Sequence, residues 1–313
     1  MAPRPLTPSD FARSVVAVPP IALDAAGRVA TETNRRLMAH IAGGGVTTLL
    51  YGGNANLYHY GAALYREALE TLHADCPAGA RILFSIGPDF GKAMDQIAEV
   101  RRAGVVDVML LPTAFPSDSR GVAEGARRLA NALGNGIVLY LKRDGYLDPE
   151  ALGQLVAEGS VSFVKYAVER DDATTDAYLD AVLAAVGVEK VASGMGETPI
   201  RDHLGTRRLA TYTSGAVCVA PAAANELLAL YRAGRAEEAL RLGAPFLEFE
   251  RLRMEHGGIQ VLHDTIGLAG LGDCGPLAPM LSNLTDAAKA AIRPVIAELI
   301  AAEAAASGRR LAA

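Results

Sequence analysis

Eight short, apolar, β-rich segments alternate with longer Ala/Leu/Arg/Glu segments of helical period, and this repetition restricts the possible folds more than any other feature. The expected strands are 14–18, 47–51, 81–86, 106–111, 136–141, 162–166, 190–193 and 210–214. The expected helices are 31–42, 58–74, 91–103, 121–133, 149–158, 175–186, 199–204 and 222–231. Strands buried on both faces read as near-continuous apolar runs, and helices between them make parallel pairing the natural outcome. Eight such units spaced by roughly 20–35 residues suit an α/β chain folded as a (β/α)8 TIM barrel, which takes about 250 residues. A doubly wound open sheet is the competing architecture, but no Gly-x-Gly-x-x-Gly follows the first strand. Three further helical stretches, 236–254, 259–269 and 284–306, read as a C-terminal helical appendage. The expected division is therefore 1–233 for the barrel and 234–313 for the extension.

The totals exclude several classes. Half of the residues are hydrophobic and 21% are charged, an ordinary globular balance. A net charge of −5 gives no reason to expect nucleic acid or an anionic membrane as partner. The pairs Arg127-Arg128 and Arg207-Arg208 are isolated rather than part of a basic stripe. Cys76, Cys218 and Cys274 are scattered and odd in number, which argues against a disulfide framework or a structural zinc site. Histidines 40, 59, 73, 203, 256 and 263 show no ligand spacing of the His-Glu-x-x-His kind, so no metal and no cofactor is expected. The N-terminal Met1-Ala2-Pro3-Arg4-Pro5 lacks a signal-peptide core and no apolar run is long enough to span a bilayer, so a cytoplasmic location is expected.

Lys165 is the residue that points to chemistry. In Val161-Ser162-Phe163-Val164-Lys165-Tyr166-Ala167 the strand alternation puts Val161, Phe163, Lys165 and Ala167 on one apolar face. A desolvated ammonium tends to lose its proton, and a neutral, positioned amine is what imine formation with a carbonyl substrate needs. The bland alternative is a strand-end lysine that snorkels to water. Tyr140, on the preceding strand, would stand about 4.8 Å away, close enough to relay protons, or would be a barrel-core tyrosine bonded to the backbone.

Other candidates lie where barrel strands end, the usual place for chemistry in this architecture. The turn Gly53-Asn54-Ala55-Asn56 could cradle a carboxylate on backbone N–H groups or be a plain polar turn. Arg143 could clamp a second carboxylate or be solvated. Glu197 is either an acid–base group or a helix-start carboxylate. Gly194 and Gly196 follow the seventh strand, where many barrels hold phosphate, but no cation accompanies them until Arg201. Gly43-Gly44-Gly45 precedes a strand and reads as a structural turn at the opposite end.

With these residues in place, the chain resembles the dihydrodipicolinate synthase / N-acetylneuraminate lyase family of class I aldolases, over nearly its whole length from about Val15. The resemblance rests on Tyr140 at the end of the fifth strand, Lys165 in Phe163-Val164-Lys165, Ser193-Gly194, Thr213-Ser214 and the appended helices. It implies that Lys165 forms the Schiff base, that Tyr140 relays protons, and that Gly53, Asn54, Ala55, Gly194 and Thr213 line the substrate pocket. It also implies a small-molecule 2-oxo acid substrate such as pyruvate and a homotetramer, with a homodimer as alternative.

Departures mark a divergent member. The family's Gly-Thr-Thr-Gly-Glu loop reads Gly53-Asn54-Ala55-Asn56-Leu57, and its Thr-Pro-Tyr-Tyr segment reads Thr113-Ala114-Phe115-Pro116. The usual arginine after the tyrosine is not aligned, leaving Lys142 or Arg143 as substitutes. The expected function is thus a Schiff-base lyase or aldolase other than dihydrodipicolinate synthase itself. The alternatives are a 5-dehydro-4-deoxyglucarate-type dehydratase, on the strength of Tyr140-x-x-Arg143-Asp144, and a non-catalytic keto-acid-binding barrel.

Overall fold

The computed structural model describes residues 4–312. Residues 1–3, which open the stretch read for a targeting signal, and residue 313 lie outside the described residues. Eight parallel strands close into a barrel in chain order: β1 (Val16–Ala17), β2 (Thr48–Tyr51), β3 (Arg81–Ile86), β4 (Val108–Leu110), β5 (Ile137–Leu141), β6 (Val161–Tyr166), β7 (Val191–Ser193) and β8 (Thr211–Ser214). Closure comes from β1, which pairs in parallel with both β2 and β8. Helices cover the outside, so β2, β4, β5, β7 and β8 are buried at every position. This double burial is why the strands read as apolar runs.

The outer helices are α2 (Thr31–Gly43), α3 (Ala62–Ala74), α4 (Phe90–Arg102), α5 (Ser119–Leu133), α6 (Pro149–Ala157), α7 (Ala177–Val186) and α8 (Pro221–Arg232). Two expected helices differ. The stretch 58–74 begins as a helix only at Ala62, because Asn56 takes a left-handed conformation and starts a separate 3-10 turn, Leu57–His59. The segment after β7 is a six-residue π-type turn, Arg201–Thr206. A preceding short helix, α1 (Pro8–Phe11), has no counterpart in the sequence reading, since four residues are too few for a period to show. Thr7 and Asp10 form its capping box, and the Phe11 ring stacks on Phe163 of β6 with centroids 4.0 Å apart.

The C-terminal helices are α9 (Ala236–His256), α10 (Gly258–Leu268) and α11 (Asp286–Ala312). Glu303 of α11 accepts hydrogen bonds from the Ala222 and Ala223 N–H groups at 2.8 and 3.1 Å. Those amides begin α8 and have no partner within it, so the contact ties the extension to the barrel. At the other side α10 packs on the turn Gly53–Ala55 after β2. No helix among the described residues is long and apolar enough to cross a membrane.

Candidate active site

Lys165 and Tyr140 stand opposite each other because of an irregularity between β5 and β6. Ile137 pairs with Val161, but Val138 pairs with Phe163, so Ser162 is an extra residue. From there the register runs Tyr140 with Lys165. Without the slip Tyr140 would face Val164, and Lys165 would turn toward the helices. Gly136 makes the slip possible, since a Cβ there would lie 2.6 Å from the Gly159 carbonyl oxygen and 3.1 Å from the Ser162 nitrogen.

The Lys165 ammonium nitrogen lies 4.0 Å from the centre of the Tyr140 ring. Lysine and tyrosine are both buried, and among the described residues neither Nζ nor the phenol oxygen has a hydrogen-bond partner. They line a narrow cavity of about 40 Å³ with Val18, Leu50, Gly52, Gly53, Asn54 and Met109. That is room for roughly three water-sized spheres. Burial pushes the Lys165 amine down to about 7, aided by the positive charges of Lys142 and Arg253. Burial also pushes the Tyr140 phenol up to about 12, with Arg253 acting against it. Near neutrality the site therefore pairs an amine with a substantial free-base fraction with a protonated phenol.

The turn after β2 supplies the polar wall. Its internal bonds are Ala55 N–H to the Gly52 carbonyl (3.1 Å) and Asn56 N–H to the Gly53 carbonyl (2.9 Å). The Ala55 amide is thus committed within the turn, and its side chain is buried away from the cavity. Gly53 and Asn54 are the residues of the expected cradle that line the cavity. Asn56 occupies the left-handed conformation (φ 56°) where the resembled loop carries glycine, a substitution asparagine tolerates better than most residues.

Of the remaining expected site residues, Gly194 touches the lysine directly. A Cβ there would come within 2.7 Å of the Tyr166 carbonyl oxygen and 3.0 Å of Lys165 Cγ. Its N–H is already bonded to the Tyr166 carbonyl at 2.6 Å, so it has no free donor for a ligand. Thr213 is buried on β8 beside Val16 and does not line the cavity. Arg143 is exposed on the rim, where it donates to Ser117 Oγ at 2.8 Å and sits over the Tyr146 ring. It does not reach the lysine cavity, because the backbone beyond β5 runs outward to the mouth.

No family model matches the chain, and no curated protein matches it by sequence. Solved structures do match. Dihydrodipicolinate synthase from Agrobacterium tumefaciens str. C58 superposes with a TM-score of 0.80 at 21% identity, over 95% of this chain and 99% of that one. A prophage protein of the dihydrodipicolinic acid synthase family from E. coli K12, solved in complex with pyruvate, gives 0.77 at 16% identity over 91% and 98%. Sialic acid aldolase from Ruminococcus gnavus gives 0.77 at 15% over 95% and 99%. The chain has the dihydrodipicolinate synthase fold. At these identities the likeness is one of fold, and a role within the dihydrodipicolinate synthase fold has to be argued from its site.

The site also holds residues that sequence reasoning passed over or placed elsewhere. Arg253 of α9 donates to Asn54 Oδ1 at 3.1 Å and to both carboxylate oxygens of Glu250 at 2.8 and 3.0 Å. An i,i+3 Glu–Arg pair on a helix is an unremarkable surface pattern, so nothing local marked it. Glu197, expected as an acid–base group or helix start, is fully buried, and neither of its carboxyl oxygens has a hydrogen-bond partner among the described residues. Burial, then the negative charge of Glu250, raise it well above the usual carboxylate range. The neighbouring Ser214 hydroxyl makes no hydrogen bond of ordinary geometry to it. Ser193 points away from the cavity, to His203 Nδ1 at 2.8 Å, and burial holds that imidazole neutral, down to about 4.

Proposed function

We propose that the protein is a Schiff-base lyase of the dihydrodipicolinate synthase / N-acetylneuraminate lyase family, acting on pyruvate or a longer 2-oxo acid. The observation that carries this reading is Lys165: a buried, unpaired lysine, its amine lowered to about 7, set 4.0 Å from the ring of a protonated Tyr140. A structural lysine in a barrel interior would be expected to have an acidic partner, because an isolated buried charge is costly. Among the described residues the amine has none, and the cavity beside it is walled by apolar side chains and the Gly53–Asn54 turn.

In this reading the Lys165 nitrogen bonds to C2 of the 2-oxo acid, and the carbonyl oxygen leaves as water after accepting protons. In a 4-hydroxy-2-oxo acid the C3–C4 electron pair then becomes the C2=C3 bond as the iminium π pair moves to nitrogen. The C4 hydroxyl gives its proton to the Tyr140 phenolate left by the dehydration, releasing an aldehyde and leaving an enamine. Protonation at C3 and hydrolysis free pyruvate and restore the lysine. Tyr140 supplies and recovers the proton at the departing oxygen, a role suited to a buried phenol within reach of the same carbon. The pyruvate complex of the E. coli prophage protein is consistent with a short keto acid in a fold of this kind.

A sugar-acid dehydratase would use the same imine to expel water. The residues behind that reading, Arg143 and Asp144, are engaged at the rim with Ser117 and Arg170, so the lyase takes precedence. Product analysis separates the two, since a lyase releases pyruvate and a dehydratase keeps the carbon chain whole. Lys165→Ala is expected to abolish turnover with an unchanged circular dichroism spectrum. Near-normal turnover in that variant would remove the mechanism, and tight keto-acid binding without an imine would identify a binding barrel instead.

A further inference from the structure

Asn54 and Arg253 form a unit that neither the turn nor the helix explains alone. Arg253 reaches the barrel mouth from α9, with its side chain 12% exposed, and its guanidinium is fixed at three points. Nη1 holds Glu250, Nε donates to the Gly258 carbonyl at 3.1 Å, and Nη2 donates to Asn54 Oδ1. Two glycines make room for it, since a Cβ at Gly215 would lie 3.2 Å from Nη1 and one at Gly258 3.4 Å from Nη2. A guanidinium has donors only, so it settles which end of the Asn54 carboxamide faces it. The oxygen is taken by Arg253, and the NH2 group has no protein partner among the described residues. Asn54 lines the lysine cavity.

We propose that Arg253 is a positioning residue which locks the Asn54 carboxamide with its NH2 group toward the cavity, making position 54 a dedicated donor to the carboxylate of the 2-oxo acid. A hydroxyl at this position could donate or accept. The locked amide can only donate, which selects an anionic acceptor next to the reacting carbonyl and makes Asn54 unsuited to carrying protons. The C-terminal extension is then part of the binding site rather than a scaffold beside it. The same guanidinium adds positive charge near the carboxylate without touching it and bears on both Lys165 and Tyr140.

This inference rests on the imine reading, and the test separates the two. The readout is the pyruvate concentration giving half-maximal borohydride trapping on Lys165, measured for the wild type, Asn54→Ala, Arg253→Lys and the double variant. Lysine keeps a positive charge beside Glu250, which preserves folding, but a point charge cannot span Glu250 and Asn54 together. Asn54→Ala leaves the Arg253–Glu250 pair intact. Each single change should raise the half-saturating concentration about tenfold, the weight of one hydrogen bond to a charged group. The double variant should be no worse than either single one, with the trapping rate at saturation largely kept. Half-saturation within twofold of wild type for Arg253→Lys, or effects that multiply in the double variant, would overturn the positioning role while leaving the imine standing. No trapping in the wild type with pyruvate or with longer 2-oxo acids would overturn both.

Discussion

Replacing Lys165 by methionine should make the protein more stable, and the gain should fade as pH rises. The lysine titrates near 7 when folded against 10.5 for an ordinary lysine. Between those values the unfolded chain holds a proton that the folded one has lost, so wild-type stability rises with pH across this window. Below about 7 both states are protonated and the full cost is present, roughly 5 kcal/mol from the displacement of the titration. That figure already contains the contact of the charged form with the Tyr140 ring, and water entering the narrow cavity lowers the realised cost. Methionine has similar length, no charge and a sulfur that packs well on an aromatic ring. The net expectation is a gain of about 3 kcal/mol at pH 6, or about 5 °C in melting temperature for a chain of this size. Thermal melts of both proteins at pH 6, 7.5 and 9 test this, because other titrating groups cancel in the comparison. A difference that does not shrink toward pH 9, or a variant less stable at pH 6, would refute the claim that Lys165 is a desolvated, unpaired amine.

Tyr140→Phe should still form an adduct on Lys165 but should slow single-turnover imine formation by roughly 10²–10³, the usual weight of a positioned acid–base group. An unchanged rate would remove the tyrosine from the mechanism. Gly194→Ala should cost about 1–3 kcal/mol in chemical denaturation and reduce trapping, because its Cβ would press on both the Tyr166 carbonyl and Lys165 Cγ. Wild-type behaviour on both counts would mean that this wall is more yielding than its geometry indicates. Arg170→Met should lower stability by about 2–4 kcal/mol, since Arg170 pairs with the fully buried Asp176, which also accepts from Tyr166. The same variant should trap pyruvate normally, because that network lies on the helix side of β6.

The barrel was legible because its signal is repeated: eight apolar runs, each followed by an amphipathic stretch, leave few topologies open. Strand ends fell within one or two residues of expectation, and β3 fell on the expected 81–86. Lys165 and Tyr140 were legible as residue types on consecutive strands. Their alignment depends on a register slip at Ser162, a residue with no distinctive property, and only the close approach at Gly136 hints at it. Arg143 attracted attention by following Tyr140 closely, yet a strand that ends at Leu141 sends it to the rim. Ala55 sat in the right turn, but a 3-10 hydrogen bond uses its amide, which residue identity alone does not reveal. Arg253 was invisible for the opposite reason: it comes from a distant helix, and only the tertiary fold brings it to Asn54.

The most direct test of the central claim is intact-mass analysis after borohydride reduction in the presence of pyruvate, with peptide mapping, repeated across pH 5 to 9. The account predicts a single reduced adduct on Lys165, with a trapping rate that rises through a midpoint near pH 7 and then levels off. An adduct on another lysine, or none on Lys165 with pyruvate and longer 2-oxo acids alike, would contradict it.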